Sequence, residues 1–241
     1  LTLAYDGTAY RGWQVQSGAP TIQGLLTDLA RRLFGADARL TGASRTDAGV
    51  HALRQTASLT AAIGLPLSAI RAALNDRLPA DIRVLEAEEA QPGFNARRAA
   101  LGKRYAYLID DGPVANPLLR HHAWHVKWRL DVGAMRQALG VCLGIHDFSA
   151  FCAAPGRGQP AVCTVRALHV LRRRERVAVL VSADRYLHHM ARNLVGSAVA
   201  VGRGARDPAW LGTVLASRDR RLAGPTAPAH GLTLVRVLYP R

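Results

Sequence analysis

A chain of 241 residues is long enough for one large or two small domains, and at 49% hydrophobic and 20% charged it has the composition of a packed protein, not of a disordered linker. Its 32 basic and 17 acidic residues leave a net charge of +15, an excess that a polyanion such as nucleic acid relieves. No apolar run approaches the roughly 18 residues of a membrane span, no signal-peptide pattern is present, and three cysteines without C-x-x-C spacing (Cys142, Cys152, Cys163) argue against a disulfide framework or zinc knuckle and fit a reducing cytoplasm.

Leu1 to Asp6 alternates as a strand and leads into a Gly-containing loop, Gly7 to Ala19. Pro20, in a first turn, opens a helix with Ile22, Leu25, Leu26, Leu29 and Leu33 on one face, and Gly35 stops it. Arg39 to Ala43 and Leu53 to Thr60 read as strands across a polar connection. Leu67 to Leu78 reads as a helix with Ile70, Ala73, Leu74 and Leu78 inward, and Ile82 to Ala87 as a strand. The order is β-α-β-β-α-β.

The second half repeats that order with an inserted strand and helix. Its strands are Lys103 to Ile109 and His121 to Trp128, then a hairpin of Val162 to Arg172 and Arg176 to Ala183 around Arg173 to Glu175. Its helices are Val132 to Leu143, Tyr186 to Val201 and Asp207 to Ser217, with Pro208 at the start of the last. The stripe of the Tyr186 to Val201 helix is Leu187, Met190, Leu194, Ala198 and Val201. Leu232 to Leu238 closes as a strand. The pattern predicts an α+β fold of two βαββαβ-like halves, 1–98 and 99–241, with the break near Gln91 to Gly102. Mostly antiparallel sheets joined side by side leave a catalytic cleft between the halves.

Chemistry concentrates in Ser44-Arg45-Thr46-Asp47-Ala48-Gly49-Val50-His51-Ala52. In extended chain, residues two apart point the same way, so Arg45 and Asp47 share a face. An Arg beside a carboxylate keeps it ionised, which suits a nucleophile or a metal ligand and not a general acid; an ion pair that pins a loop is the plainer alternative. Tyr105 and Tyr107 alternate with Arg104 as a ring-and-cation surface for an exposed base, or else pack as sheet residues. Trp124 and Trp128 on one strand face read as packing. Arg192 stands opposite the Met190/Leu194 stripe, and the Pro/Gly-rich stretch Phe151 to Ala161 carries Arg157 as a mobile basic loop.

A metal site is the rival. Asp47, Asp147 and Asp184 could converge as ligands, whereas His121 and His125 would face away from His122 on a strand. His188 and His189 diverge by about 100° on a helix, so no local three-ligand set forms. No nucleotide-triphosphate loop occurs.

Tyr5-Asp6-Gly7-Thr8, Gly12-Trp13-Gln14, Thr21-Ile22-Gln23, Arg45 to His51, Asn75 with Leu78-Pro79, and Phe94-Asn95-Ala96-Arg97 form an ordered series. Lys103-Arg104-Tyr105-Ala106-Tyr107, His146-Asp147-Phe148, Leu187 to Gly196 and Gly231-Leu232 continue it. With these motifs the chain resembles the tRNA pseudouridine synthase A family almost end to end. One departure is Ser44, where that family usually carries Gly.

The resemblance implies an isomerase that turns uridines of the tRNA anticodon stem-loop (positions 38–40) into pseudouridine, with no cofactor or metal. It implies Asp47 as nucleophile, Arg45 in the space left by an extruded base, and Tyr105 stacked on the uracil and assisting proton removal from carbon 5. Arg192 is implied to pair with Asp47, and Leu232, Arg97 and Arg104 to bind substrate. Its members are homodimers, so a cytoplasmic homodimer gripping tRNA by shape and backbone is expected. A non-catalytic basic RNA-binding protein and a metal-dependent nuclease are the alternatives: the first predicts no tritium release from uridine labelled at carbon 5, the second shortened RNA and dependence on a divalent ion.

Overall fold

A computed structural model describes residues 1–153 and 160–240, so Arg157 and most of its loop lie outside the described residues. The fold is α+β, and the chain divides into two compact units, Leu1–Leu101 with Thr233–Arg241, and Gly102–Leu232.

The first unit runs β1 (Thr2–Tyr5), α1 (Ile22–Phe34), β2 (Arg39–Gly42), β3 (His51–Thr60), α2 (Leu67–Asn75) and β4 (Ile82–Glu86), the order that the hydrophobic pattern predicts. β1 lies between β3 and β4, antiparallel to both, with Thr2 opposite Thr56 and Leu3 opposite Val84. β2 continues antiparallel along the far part of β3, Arg39 opposite Thr60. A seventh element, β10 (Leu232–Leu238), pairs in parallel with the start of β3, Thr233 opposite His51. Sequence order puts this strand in the second half; its Thr233-onward part groups with the first unit.

α1 starts after Pro20, not with it. Thr21 is the cap, its Oγ1 accepting from the Gly24 N–H at 3.2 Å. Ile22, Leu26, Leu29 and Ala30 form the buried stripe; Leu25 and Leu33, expected inward, are only half-buried. The helix ends at Gly35, as expected. α2 stops at Asn75, shorter than expected. The Asn75 side chain bonds both the N–H and C=O of Val84 at 2.8 Å, which ties the helix end to β4.

The second unit runs β5 (Gly102–Asp110), β6 (Trp124–His125), α3 (Val132–Gly140), β7 (Gly144–Asp147), β8 (Val162–Arg173), β9 (Arg176–Ala183), α4 (Met190–Gly202) and α5 (Trp210–Ser217). β5, β9, β8 and β7 are neighbours in that order, all antiparallel, and β6 runs parallel to β5. The β8–β9 hairpin turns where expected, with Arg174 at φ 56°.

Four expectations change here. The strand predicted for His121 to Trp128 shrinks to two residues, because the N–H groups of His122 and Ala123 bond back to Leu119 O at 2.9 Å and form a turn. His121 and His125 therefore share no strand face, and Trp128 stands outside the strand, 51% exposed. The helix predicted from Tyr186 begins at Met190, because His189 takes a left-handed φ of 61° and Met190 N bonds Leu187 O. His188 and His189 do not diverge on a helix; their ring centroids are 3.9 Å apart. α5 likewise starts at Trp210, since the Asp207 carboxylate captures the Ala209 N–H at 2.8 Å and Pro208 sits in that turn. β7 was not expected from the pattern at all.

α4 is not striped. Every residue from Met190 to Gly202 is buried except Arg192, which is half-buried, as befits a helix covered all round. α3 packs on it, and so does the segment Gly224–Ala227. A Cβ on Gly196 would lie 1.7 Å from Pro225 O, so only glycine admits that segment. Among the described residues, no helix is long and apolar enough to cross a membrane.

All three cysteines are free and buried, and burial pushes the Cys142 thiol up to about 12. Thiolate is the reactive form. Titration with a thiol reagent at pH 8 is expected to find less than one reactive thiol in the native protein and three after denaturation.

Candidate active site

The segment between β2 and β3 is held from beneath by backbone and side-chain bonds. Gln55, fully buried on β3, brackets Ser44: its Nε2 donates to Ser44 O at 2.7 Å and its Oε1 accepts from Ser44 N at 3.2 Å. Thr46 Oγ1 meets Tyr5 OH of β1 at 2.8 Å, and Thr46 O accepts from Trp13 N at 3.0 Å. Gly12, at φ 88°, presses against this carbonyl, where a Cβ would come within 2.5 Å. After Asp47 the chain turns, Val50 N bonding Asp47 O at 3.1 Å. Ser44 has no left-handed φ; among the described residues only Arg174, His189 and Arg218 do outside glycine. The serine is therefore accommodated without strain.

Burial alternates along the run. Ser44 and Thr46 are buried, Arg45 is exposed and Asp47 half-buried. Arg45 and Asp47 thus stand on the outward side of one extended segment. The half-exposed carboxylate rests on a pinned backbone, the arrangement a nucleophile needs.

In the second unit, Tyr105 of β5 is 6% exposed, opposite Val181. Its ring meets the Tyr186 ring edge-on at 4.9 Å, and Tyr186 OH donates to Val181 O at 2.7 Å. Burial, with the Tyr105 phenol beside it, pushes the Tyr186 phenol well above its usual range. The unbroken pairing of β5 with β9 puts Tyr105 and Tyr107 on one face and Arg104 on the other. The expected ring-and-cation surface is therefore not one surface. Tyr107 is a core residue whose hydroxyl donates to Pro228 O at 2.7 Å. Its ring faces the Trp124 ring edge-on and lies against Gly231.

Arg192 Nε donates to Ala227 O at 2.8 Å, and Ala227 N bonds back to Arg192 O at 3.2 Å. The same segment is clamped by Arg220, which reaches Asn193 Oδ1, Thr226 Oγ1 and Gly224 O at 2.9–3.0 Å. Leu232 is buried at the start of β10. Arg97 is exposed on a separate turn, its N–H held by Asn95 Oδ1. The residues that sequence reasoning missed are supports: Gln55, Tyr186 and the segment 224–228; Tyr5 stands in the first motif of the series, without a supporting role read for it. A glutamine inside the hydrophobic alternation of β3 was the only available signal for the first.

The family model described as tRNA pseudouridine synthase matches residues 2–97 and 139–240. The chain is 45% identical to a tRNA pseudouridine synthase A of Myxococcus xanthus over 99% of this chain and 91% of that one. It is 42% identical to the protein of that name from Brevibacillus brevis (98% and 97%) and 43% identical to that of Moorella thermoacetica (99% and 98%). A solved structure titled as a Cbf5-Nop10-Gar1 complex aligns at a TM-score of 0.36 and 13% identity, over 83% of this chain and 45% of that one.

Proposed function

The chain belongs to the tRNA pseudouridine synthase family, a family of isomerases, and from that premise we propose that it converts uridines of the tRNA anticodon stem-loop to pseudouridine, as a cytoplasmic homodimer with Asp47 as nucleophile. The observation that supports this reading is the half-exposed Asp47 carboxylate on a segment immobilised by Gln55, Tyr5 and Gly12.

The reaction is an isomerisation. The bond from ribose C1′ to uracil N1 breaks, a bond from C1′ to C5 forms, C5 loses a proton to solvent and N1 ends protonated. Asp47 forms a transient adduct with the base or sugar and then leaves, which a carboxylate does readily. A base in a stem must leave its stack to be reached. Arg45, exposed two residues away, fills the space. Tyr105 stacks on the uracil and assists removal of the C5 proton, with Tyr186 buttressing its ring edge-on. Leu232 supplies an apolar wall, Arg192 a guanidinium to the reacting centre, and Arg97 and Arg104 contacts to the RNA.

The test uses tRNA carrying tritium at C5 of uridine. Incubation with the protein is expected to release tritium, leave the RNA at full length and place pseudouridine in the anticodon stem-loop. Tyr105→Leu is expected to lower turnover by roughly a hundredfold, with tRNA affinity nearly kept. No release from wild-type protein that still binds tRNA would favour a non-catalytic RNA-binding protein.

A further inference from the structure

At one end of the second unit, three separate segments are stitched together around a fully buried carboxylate. Asp111 Oδ2 lies 2.8 Å from Arg172 Nη2 at the end of β8 and accepts from Leu130 N at 3.0 Å, while Oδ1 meets Arg129 at 3.3 Å. Arg172 Nη2 also donates to Leu130 O at 2.6 Å. One residue further on, Asp131 N bonds Gly202 O at 2.7 Å, which joins the segment to the C-terminal end of α4. The β8–β9 turn, the chain around Trp128 and the turn after α4 are thereby fixed side by side.

These three segments present cations. Arg173, Arg174 and Arg176 on the hairpin and Arg203 and Arg206 after α4 are all exposed. The exposed acids among them are Glu175, Asp131 and Asp207, too few to neutralise five arginines. Two of the guanidiniums rest on indole rings: Arg203 lies 5.2 Å from the centroid of Trp128, itself half-exposed, and Arg206 lies 5.4 Å from that of Trp210. A ring beneath a guanidinium holds it in place without cancelling its charge, so less side-chain freedom is lost when an anion arrives. Planar guanidiniums with an open indole are the combination that grips phosphate and stacks bases.

Arg192 lies near the other end of α4. The 11 helical steps from it to Arg203 span about 16 Å at the helical rise, a few nucleotides' length of backbone. We propose that this end of the second unit is an RNA-docking surface that engages the backbone of the substrate RNA at nucleotides away from the one isomerised. The inference rests on the proposed function for its choice of RNA.

The experiment measures tRNA affinity against salt for wild type, for Arg173→Ala/Arg176→Ala/Arg203→Ala/Arg206→Ala, and for Trp128→Ala. All five side chains reach solvent, and the corresponding Arg→Lys quadruple variant controls for folding. The alanine quadruple variant is expected to bind tRNA at least tenfold more weakly near 0.1 M salt, with the log–log salt slope shallower by roughly three units. Its turnover at saturating tRNA stays at the wild-type level, and the lysine variant keeps most of the slope. Trp128→Ala is expected to lose about fivefold in affinity with the slope unchanged. Wild-type affinity and slope in the alanine quadruple variant would overturn the proposal, including the case in which the surface serves an acidic protein instead. Loss of RNA affinity in that variant, with no pseudouridine made by wild type, would uphold the surface and remove the proposed activity.

Discussion

Asp47→Asn is expected to make no measurable pseudouridine while binding tRNA as tightly as wild type, within about threefold. Asparagine matches aspartate in shape, and other groups hold this segment: Ser44 by Gln55, Thr46 by Tyr5 and Trp13, and the turn by Val50 N on Asp47 O. The substitution therefore keeps these contacts and removes the anion. A neutral amide neither attacks nor departs as a carboxylate does, so tritium release should fall by roughly a thousandfold or more. Asp47→Glu is also expected to fail, because the pinned backbone cannot retreat by the added methylene, and misplacement by about 1 Å already costs on the order of a hundredfold. Single-turnover tritium release with a parallel binding titration reads both results. Turnover in Asp47→Asn near the wild-type rate would strip Asp47 of the role.

The second large effect is on stability. In Gly196→Ala, the new methyl carbon would sit 1.7 Å from Pro225 O, a backbone atom that no rotamer change can move. Either α4 or the segment 224–228 must shift, and the segment is fastened by Arg192, Arg220 and Ser197. A cost of about 3 kcal/mol is expected, a fall in melting temperature of roughly 10 °C for a protein of this size. Because Ala227 O receives Arg192 Nε, turnover should fall as well. Gly212→Ala is the control: it lies inside α5 with nothing within 4 Å of the added carbon, and should be neutral or stabilising by about 0.5–1 kcal/mol. Thermal unfolding of the two variants side by side checks the contrast.

The first unit was legible almost element by element, because its helices are one-sided and its strands alternate. Periodicity fails where both sides of an element are covered or where a local side chain takes the backbone. α4 is buried all round apart from the half-buried Arg192, so the stripe, which sets Arg192 opposite Met190 and Leu194, does not show that the other residues are covered too. Its start moved four residues because His189 adopts a left-handed φ, which no hydrophobic pattern encodes. The turn after Asn116 consumed a predicted strand by satisfying the N–H groups of His122 and Ala123 locally. The candidate site residues were readable as motif residues, whereas the supports Gln55 and Tyr186 were not. Gln55 and Tyr186 act through contacts between residues distant in the chain or across a turn, and such contacts leave no trace in spacing.

The parallel pairing of β10 with β3 ties residues about 180 apart in the chain. A ribosome makes them in order, so the strand beside His51 emerges only after all of 102–232 has been translated. The start of β3, which follows the Asp47 segment, therefore stands with one flank uncovered until β10 has been made. A truncation that removes Thr233 and Leu234 would thus strip His51 and Ala52 of their parallel partner, at the root of the segment that carries Asp47.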